Sequence, residues 1–134
     1  MNSRILLYSL VFLSGFIFTK AQFEDKKILN VDEAFVLNTS FSENKIFISW
    51  NIKPGYYLYK KSILIKSGDD PIKHRYMLKD ESQISDEFFG ESTIFKGALE
   101  VEAELLDVNL FKLQGIQVIY QGCAEGKYCY PKRI

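Results

Sequence analysis

Alternation of apolar and polar side chains is the feature that most narrows the folds open to this chain. Residues 45–52, "KIFISWNI", set Ile46, Ile48, Trp50 and Ile52 on one face and Phe47, Ser49 and Asn51 on the other. Residues 98–106, "ALEVEAELL", alternate Leu99, Val101, Ala103 and Leu105 with Glu100, Glu102 and Glu104. Successive side chains of an extended chain point to opposite faces, so this period marks strands buried on one side and wet on the other. "GIQVIYQG" at 115–122 repeats the pattern through Ile116, Val118 and Tyr120, and "EAFVLNTSF" (33–41), "SILIK" (62–66) and "STIFKG" (92–97) add shorter strands. Turn signals separate them: "SENK" (42–45), "KPGY" (53–56), "SGDDP" (67–71), "FFGE" (88–91) and "AEGK" (124–127). No helical period is sustained for three turns. Short strands punctuated in this way predict an all-β fold, an antiparallel β-sandwich of immunoglobulin-like type. Residues 67–91 read as a long, weakly patterned connection, and long loops on a rigid sandwich often carry function.

The N-terminus is different in kind. Arg4 is followed by an uncharged run from Ile5 to Phe18 and then by Thr19-Lys20-Ala21. A positive start, a short apolar stretch and a small residue form the pattern of a secretory signal peptide, expected over residues 1–21. The run is short for a bilayer span of about 20 residues, although Thr19-Lys20-Ala21 is an imperfect cleavage site and leaves an uncleaved anchor open. Residues 22–134 then form one domain. The chain stops three residues after Pro131, and the domain is expected to continue in a longer parent.

Charge excludes one class of partner. The chain has 17 basic and 17 acidic side chains, formal net charge zero, and nucleic acid requires a clustered positive excess. The small cluster Lys127, Lys132 and Arg133 reads as a solvated face. His74 lacks companions at metal-ligand spacing, and "NTS" at 38–40 is a glycosylation sequon of a kind common by chance. No nucleophile elbow, phosphate loop or dinucleotide fingerprint is present. Neither a metal nor a cofactor is expected.

Both cysteines lie in "QGCAEGKYCYP", residues 121–131. A hairpin looping through "AEGKY" would place Cys123 opposite Cys129, within the Cα separation a disulfide can bridge. Export puts them where disulfides persist. In the chain-entropy model a closed loop of seven residues stabilises by only about 2.4 kcal/mol, against about 4.7 for a loop of 100. The bond is thus a poor staple and a suitable redox couple. The residues alone leave both readings open: a reversible relay, or an inert structural disulfide in an exported immunoglobulin-like binding module.

Several motifs occur in one order: "VDEAF" (31–35), "WNIKPGYYLY" (50–59), "DEFFGE" (86–91), "IFKG" (94–97) and "YQGCAEGKYCYP" (120–131). Together they resemble the N-terminal periplasmic domain family of the thiol:disulfide interchange protein DsbD, over nearly all of the part from Val31 to Pro131. The resemblance implies a periplasmic domain of a protein-disulfide reductase whose parent is anchored in the inner membrane. That parent would also carry a membrane domain and a thioredoxin-like C-terminal domain. Electrons would pass from that domain to the pair matching Cys123 and Cys129, then to periplasmic thioredoxin-fold partners, a disulfide isomerase and the thioredoxin-like protein of cytochrome c maturation. By the same carry-over, Cys129 forms the mixed disulfide and Cys123 resolves it. Asp86, Glu87, Phe88, Phe89 and Gly90 match a cap loop with Phe88 at its aromatic tip, and Tyr57 and Tyr59 match residues lining the site. Asp86, Glu87 and Glu125, if close to the sulfurs, would disfavour a thiolate, and Lys127 would favour it.

Overall fold

The computed structural model describes residues 27–106 and 115–134; the expected signal peptide lies outside them. Among the described residues, ten strands form two antiparallel sheets: β1 Phe35–Ser42, β2 Lys45–Ile52, β3 Tyr56–Tyr59, β4 Leu64–Ser67, β5 Asp70–Pro71, β6 His74–Asp86, β7 Gly90–Glu104, β8 Ile116–Ile119, β9 Gly122–Ala124 and β10 Tyr128–Cys129. The larger sheet runs β1-β2-β7-β3-β9-β10, with β6 pairing β7 along its other edge, and the smaller runs β5-β4-β8. Their packing is the immunoglobulin-like sandwich that the alternation predicts.

The core is built as the pattern requires. Ile46, Ile48, Trp50 and Ile52 of β2 and Leu99, Val101 and Ala103 of β7 are buried, and they meet Ile65 of the smaller sheet. Fully burying one such large apolar side chain contributes roughly 1.5–3 kcal/mol. Trp50 meets Tyr120 edge-on at 5.6 Å between ring centroids. Phe35 packs edge-on against Tyr56, Tyr120 and Tyr130, which seats the chain's last turn on the core.

Three expectations need correction. The segment from Glu33 does not begin as a strand: Val31–Ala34 forms one helical turn, α1, in which the Glu33 carboxylate accepts the Asn30 N–H at 3.1 Å. Residues 92–97 and 98–104 are not separate strands; both belong to β7, which is 15 residues long and ends at Glu104. From Lys96 to Glu100, four steps of β7 face the two steps of β6 from Asp80 to Leu78. The resulting bulge holds Gly97 at φ 64, a left-handed conformation that glycine adopts without a steric penalty. Before Gly97 β7 pairs with β3, and after Gly97 with β2. Lastly, residues 67–91 are no open loop. They hold β5 and the 13-residue β6, whose turn into β7 spans residues 87–89. Most of β6 is exposed, and without a buried face its sequence carries no alternation.

Two polar positions also differ from a simple solvated face. Glu102 is only 9% exposed and is held by Lys45 at 3.1 Å and Arg75 at 3.0 Å. His74 is half-buried, with its ring edge-on to Tyr76 at 5.4 Å, and burial pushes its pKa down.

Candidate functional site

The turn Glu125-Gly126-Lys127, with Gly126 at φ 67, closes a hairpin in which Cys123 of β9 and Cys129 of β10 are direct register partners. Their Cα atoms are 4.0 Å apart and their sulfurs form a disulfide. The two halves are unequal: Cys123 has no exposed surface, whereas Cys129 is part-exposed on the last strand of the sheet.

Strand β3 lies on the other side of β9, with Tyr57 opposite Cys123. All four residues of β3 are buried because both of its faces are covered. Tyr56 and Leu58 enter the main core, while Tyr57 and Tyr59 point the other way and join Cys123 and Ile94 in a second apolar cluster. Ile84 and Cys129 complete it. The end of the β6–β7 hairpin therefore roofs the face of the sheet that carries the disulfide.

Asp86, the last residue of β6, ties the roof to the floor. Its Oδ2 accepts the Tyr57 hydroxyl at 2.7 Å and also the Tyr59 hydroxyl. Its Oδ1 accepts the backbone N–H of Phe88 at 3.0 Å and of Phe89 at 2.7 Å. Burial pushes the Asp86 carboxyl up, but the bonds from Tyr59, the Phe89 amide, Tyr57 and the Phe88 amide outweigh it and hold the pKa below the ordinary value. Burial, reinforced by the carboxylate, drives the Tyr59 phenol far up and Tyr57 up to about 12. Both phenols thus stay protonated and act as donors. The Tyr59 oxygen stands 3.3 Å from Cys123 Sγ and 3.8 Å from Cys129 Sγ.

The aromatics of the turn divide their work. Phe89 meets Tyr59 at 4.8 Å, nearly edge-on, and Lys61 Nζ sits 5.3 Å from the other ring's centre, that of Phe89. Phe88 is 41% exposed and makes no ring contact among the described residues. Gly90 opens β7 at φ 67. Glu87 is exposed at the turn, Glu125 pairs with Lys96 at 3.3 Å, and Lys127 is exposed. Of the acidic residues considered from sequence, Asp86 is the one linked to the sulfurs through a shared partner.

Sequence reasoning missed Ile84 and Ile94 beneath the turn, Lys61 beside Phe89, and Gly122. A Cβ at Gly122 would come within 2.5 Å of both the Phe35 ring and the Tyr57 carbonyl oxygen. A glycine inside a strand pattern signals such a close approach, so that signal was available. Among the described residues, no three His, Cys, Asp or Glu side chains are grouped to hold a metal ion, and no helix is long and apolar enough to cross a membrane.

Comparison with known proteins then decides the family. The model for the N-terminal domain of thiol:disulfide interchange protein DsbD matches residues 25–133. The chain belongs to the DsbD N-terminal domain family. It is 38% identical over 107 residues to thiol:disulfide interchange protein DsbD of Vibrio cholerae, covering 78% of the chain and 17% of that protein. With DsbD of Cronobacter sakazakii it shares 32% over 133 residues, covering 98% of the chain and 23% of that protein. The chain thus spans about a fifth of the length of these curated relatives. The crystal structure of the Neisseria meningitidis DsbD N-terminal domain in its reduced form is similar at TM-score 0.64 and 25% identity, over 79% of this chain and 84% of that one. The same organism's DsbD N-terminal domain in complex with the PilB N-terminal domain gives TM-score 0.60 and 26% identity, over 79% and 82%.

Proposed function

We propose that this domain is a two-electron thiol–disulfide relay in which Cys129 exchanges with partner proteins and Cys123 resolves. The observation that carries this reading is the asymmetry of the disulfide: one sulfur sealed beneath Tyr59, the other part-exposed at a sheet edge. Exchange requires an incoming thiolate to reach a sulfur in line with the bond that breaks, so access selects the sulfur attacked.

Loading the domain takes two steps. A donor thiolate attacks Cys129 Sγ, the Cys123–Cys129 bond breaks, and Cys123 leaves as a thiolate that takes up a proton. The donor's second thiolate then attacks its own sulfur in the mixed disulfide, releasing Cys129 and leaving the donor oxidised. Unloading reverses the roles: Cys129 attacks the acceptor's disulfide and Cys123 displaces the acceptor as a dithiol. Two electrons and two protons cross the domain in each cycle, and no cofactor enters. The Tyr59 hydroxyl donates its one hydrogen bond to Asp86 and stands beside both sulfurs, so its oxygen is placed to accept the S–H that forms once the departing Cys123 takes up a proton.

The donor in this reading is the thioredoxin-like domain of a longer membrane-anchored parent, and the acceptors are periplasmic thioredoxin-fold proteins, among them a disulfide isomerase and the thioredoxin-like protein of cytochrome c maturation. Residues 1–21 direct export. The Asp86–Gly90 turn acts as a cap that slows adventitious oxidation of the dithiol until a partner displaces it. Family membership and the buried polar network disfavour the inert binding module.

The test is a pair of trapping experiments with a thioredoxin that keeps only its attacking cysteine. Cys123→Ser should accumulate a stable mixed disulfide through Cys129, and Cys129→Ser should form none. Equal trapping by both variants, or by neither, contradicts the assignment.

A further inference from the structure

On the relay reading just given, we propose that Tyr130 is a positioning residue: its hydroxyl ties the strand of Cys129 to the entry of α1, so that Cys129 stays in front of Cys123 while their disulfide is open. Strand β10 is two residues long and, among the described residues, pairs with β9 alone. Once the sulfur–sulfur bond is broken, hydrogen bonds must hold it, and they are unevenly spread. On the turn side Tyr128 is 43% exposed, and the Lys127 N–H closes the turn on Ala124 O at 3.0 Å. On the other side, next to Cys129, Tyr130 is 6% exposed and is held at three points. Its N–H donates to Gly122 O at 3.0 Å, its C=O accepts from Gln121 Nε2 at 3.0 Å, and its hydroxyl donates to Leu29 O. Burial pushes the Tyr130 phenol up to about 12, so it remains a donor at neutral pH.

Leu29 is a fixed post. Its N–H donates to the Tyr56 hydroxyl at 2.8 Å, and Tyr56 is the register partner of Ala124, the residue after Cys123. One residue thus bridges β3, on one side of the disulfide hairpin, and the exit of β10 on the other. The Asn30 carbonyl accepts the N–H of Glu33 at 3.0 Å and of Ala34 at 2.9 Å, and Ala34 O accepts the Lys53 N–H at 2.9 Å, which fixes α1 just beyond the end of β2. Arg133 pairs with Asp32 at 2.9 Å and ties the same two segments a second time. The Phe35 ring lies edge-on to both Tyr56 and Tyr130 and fills the space between them. In the mixed disulfide the Cys123 thiolate attacks Cys129 Sγ, the bond from Cys129 to the partner breaks, and the partner's sulfur leaves as a thiolate that takes up a proton. That step depends on how well the two cysteines are held in register, expressed as the effective concentration of one for the other. The disulfide and the Tyr130–Leu29 bond both confine β10, so by linkage each stabilises the other.

The experiment is a redox titration with glutathione that separates two constants. Cys123→Ser gives the constant for the mixed disulfide between Cys129 and glutathione, and the chain with both cysteines gives the overall constant; their quotient is the effective concentration of Cys123 for Cys129. Tyr130→Phe removes one oxygen and keeps the ring against Phe35. It is expected to lower the effective concentration about fivefold, the worth of one hydrogen bond, and to leave the mixed-disulfide constant within twofold. An unchanged effective concentration overturns the proposal and leaves the relay standing. So does an equal fall in both constants, which would make the hydroxyl a support of the fold in general. A second measurement needs no substitution at Tyr130: in the unsubstituted chain labelled with nitrogen-15, the Tyr130 amide should exchange its proton within threefold of the same rate in the disulfide and dithiol forms. Loss of its protection on reduction overturns the anchor. A disulfide that neither glutathione nor a reduced thioredoxin can open overturns the relay reading and this proposal with it.

Discussion

The Tyr59 hydroxyl donates to Asp86 while standing 3.3 Å from the Cys123 sulfur, so a residue of the β6–β7 turn is coupled to the disulfide through one phenol. Asp86 also collects Tyr57 and the amides of Phe88 and Phe89. Removing that single carboxylate unties floor and roof together.

Asp86→Ala should therefore loosen the turn over the disulfide. Hydrogen bonds to a charged group are worth about 1.5–3 kcal/mol each when buried, and at this part-exposed site a net loss of about 1–2 kcal/mol corresponds to roughly a 5- to 30-fold faster reduction by dithiothreitol. Stopped-flow measurement of that rate is the check. A rate within twofold of the unsubstituted chain would show that the turn does not guard the bond.

The same carboxylate sets an acid limb. Its folded pKa lies below the ordinary aspartate value, so its stabilisation is fully present above that ordinary value and is lost as pH falls through the lowered folded one. The difference in thermal midpoint between the unsubstituted chain and Asp86→Asn should be constant from pH 8 to pH 5 and should shrink below about pH 4. A difference that grows on acidification contradicts the hydrogen-bond pattern.

Gly122→Ala tests the packing behind Cys123. The new methyl would sit 2.5 Å from the Phe35 ring and from the Tyr57 backbone oxygen, and backbone cannot yield cheaply. Overpacking of this kind costs typically 1–3 kcal/mol, so chemical denaturation should show a clear loss, accompanied by faster exchange of the Tyr59 amide that pairs with Gln121. Unchanged stability would mean that β3 and β9 are not so close.

Reducing the disulfide should leave the sandwich folded. A loop with a sequence separation of 6 gains at most about 2.4 kcal/mol from closure in the chain-entropy model, while the main core lies on the other face of β3. Denaturation of the double variant Cys123→Ser, Cys129→Ser should show a loss no larger than that. Complete unfolding would identify the bond as a structural staple.

What the sequence revealed follows from where one face is buried. The strands β2 and the second half of β7 announced themselves because Ile46 to Ile52 and Leu99 to Leu105 face a core. The hairpin Cys123–Cys129 was legible because "EG" at its centre demands a turn. Strand β6 was not, since nearly every residue from Lys79 to Gln83 is exposed and local composition then resembles a loop. The continuity of β7 was hidden by Gly97, which reads as a stop and acts as a bend. At the site, Asp86 and the two tyrosines were named through motif resemblance, but their shared hydrogen bonds depend on a pairing between residues 27 and 29 positions apart that no local pattern encodes.

The most direct test of the central claim is the equilibrium reduction potential of the Cys123–Cys129 bond, measured against glutathione and checked with a thioredoxin couple. A relay should fall between those of thioredoxin and disulfide isomerase, about −270 to −180 mV. A value below about −300 mV, typical of structural disulfides, would contradict it.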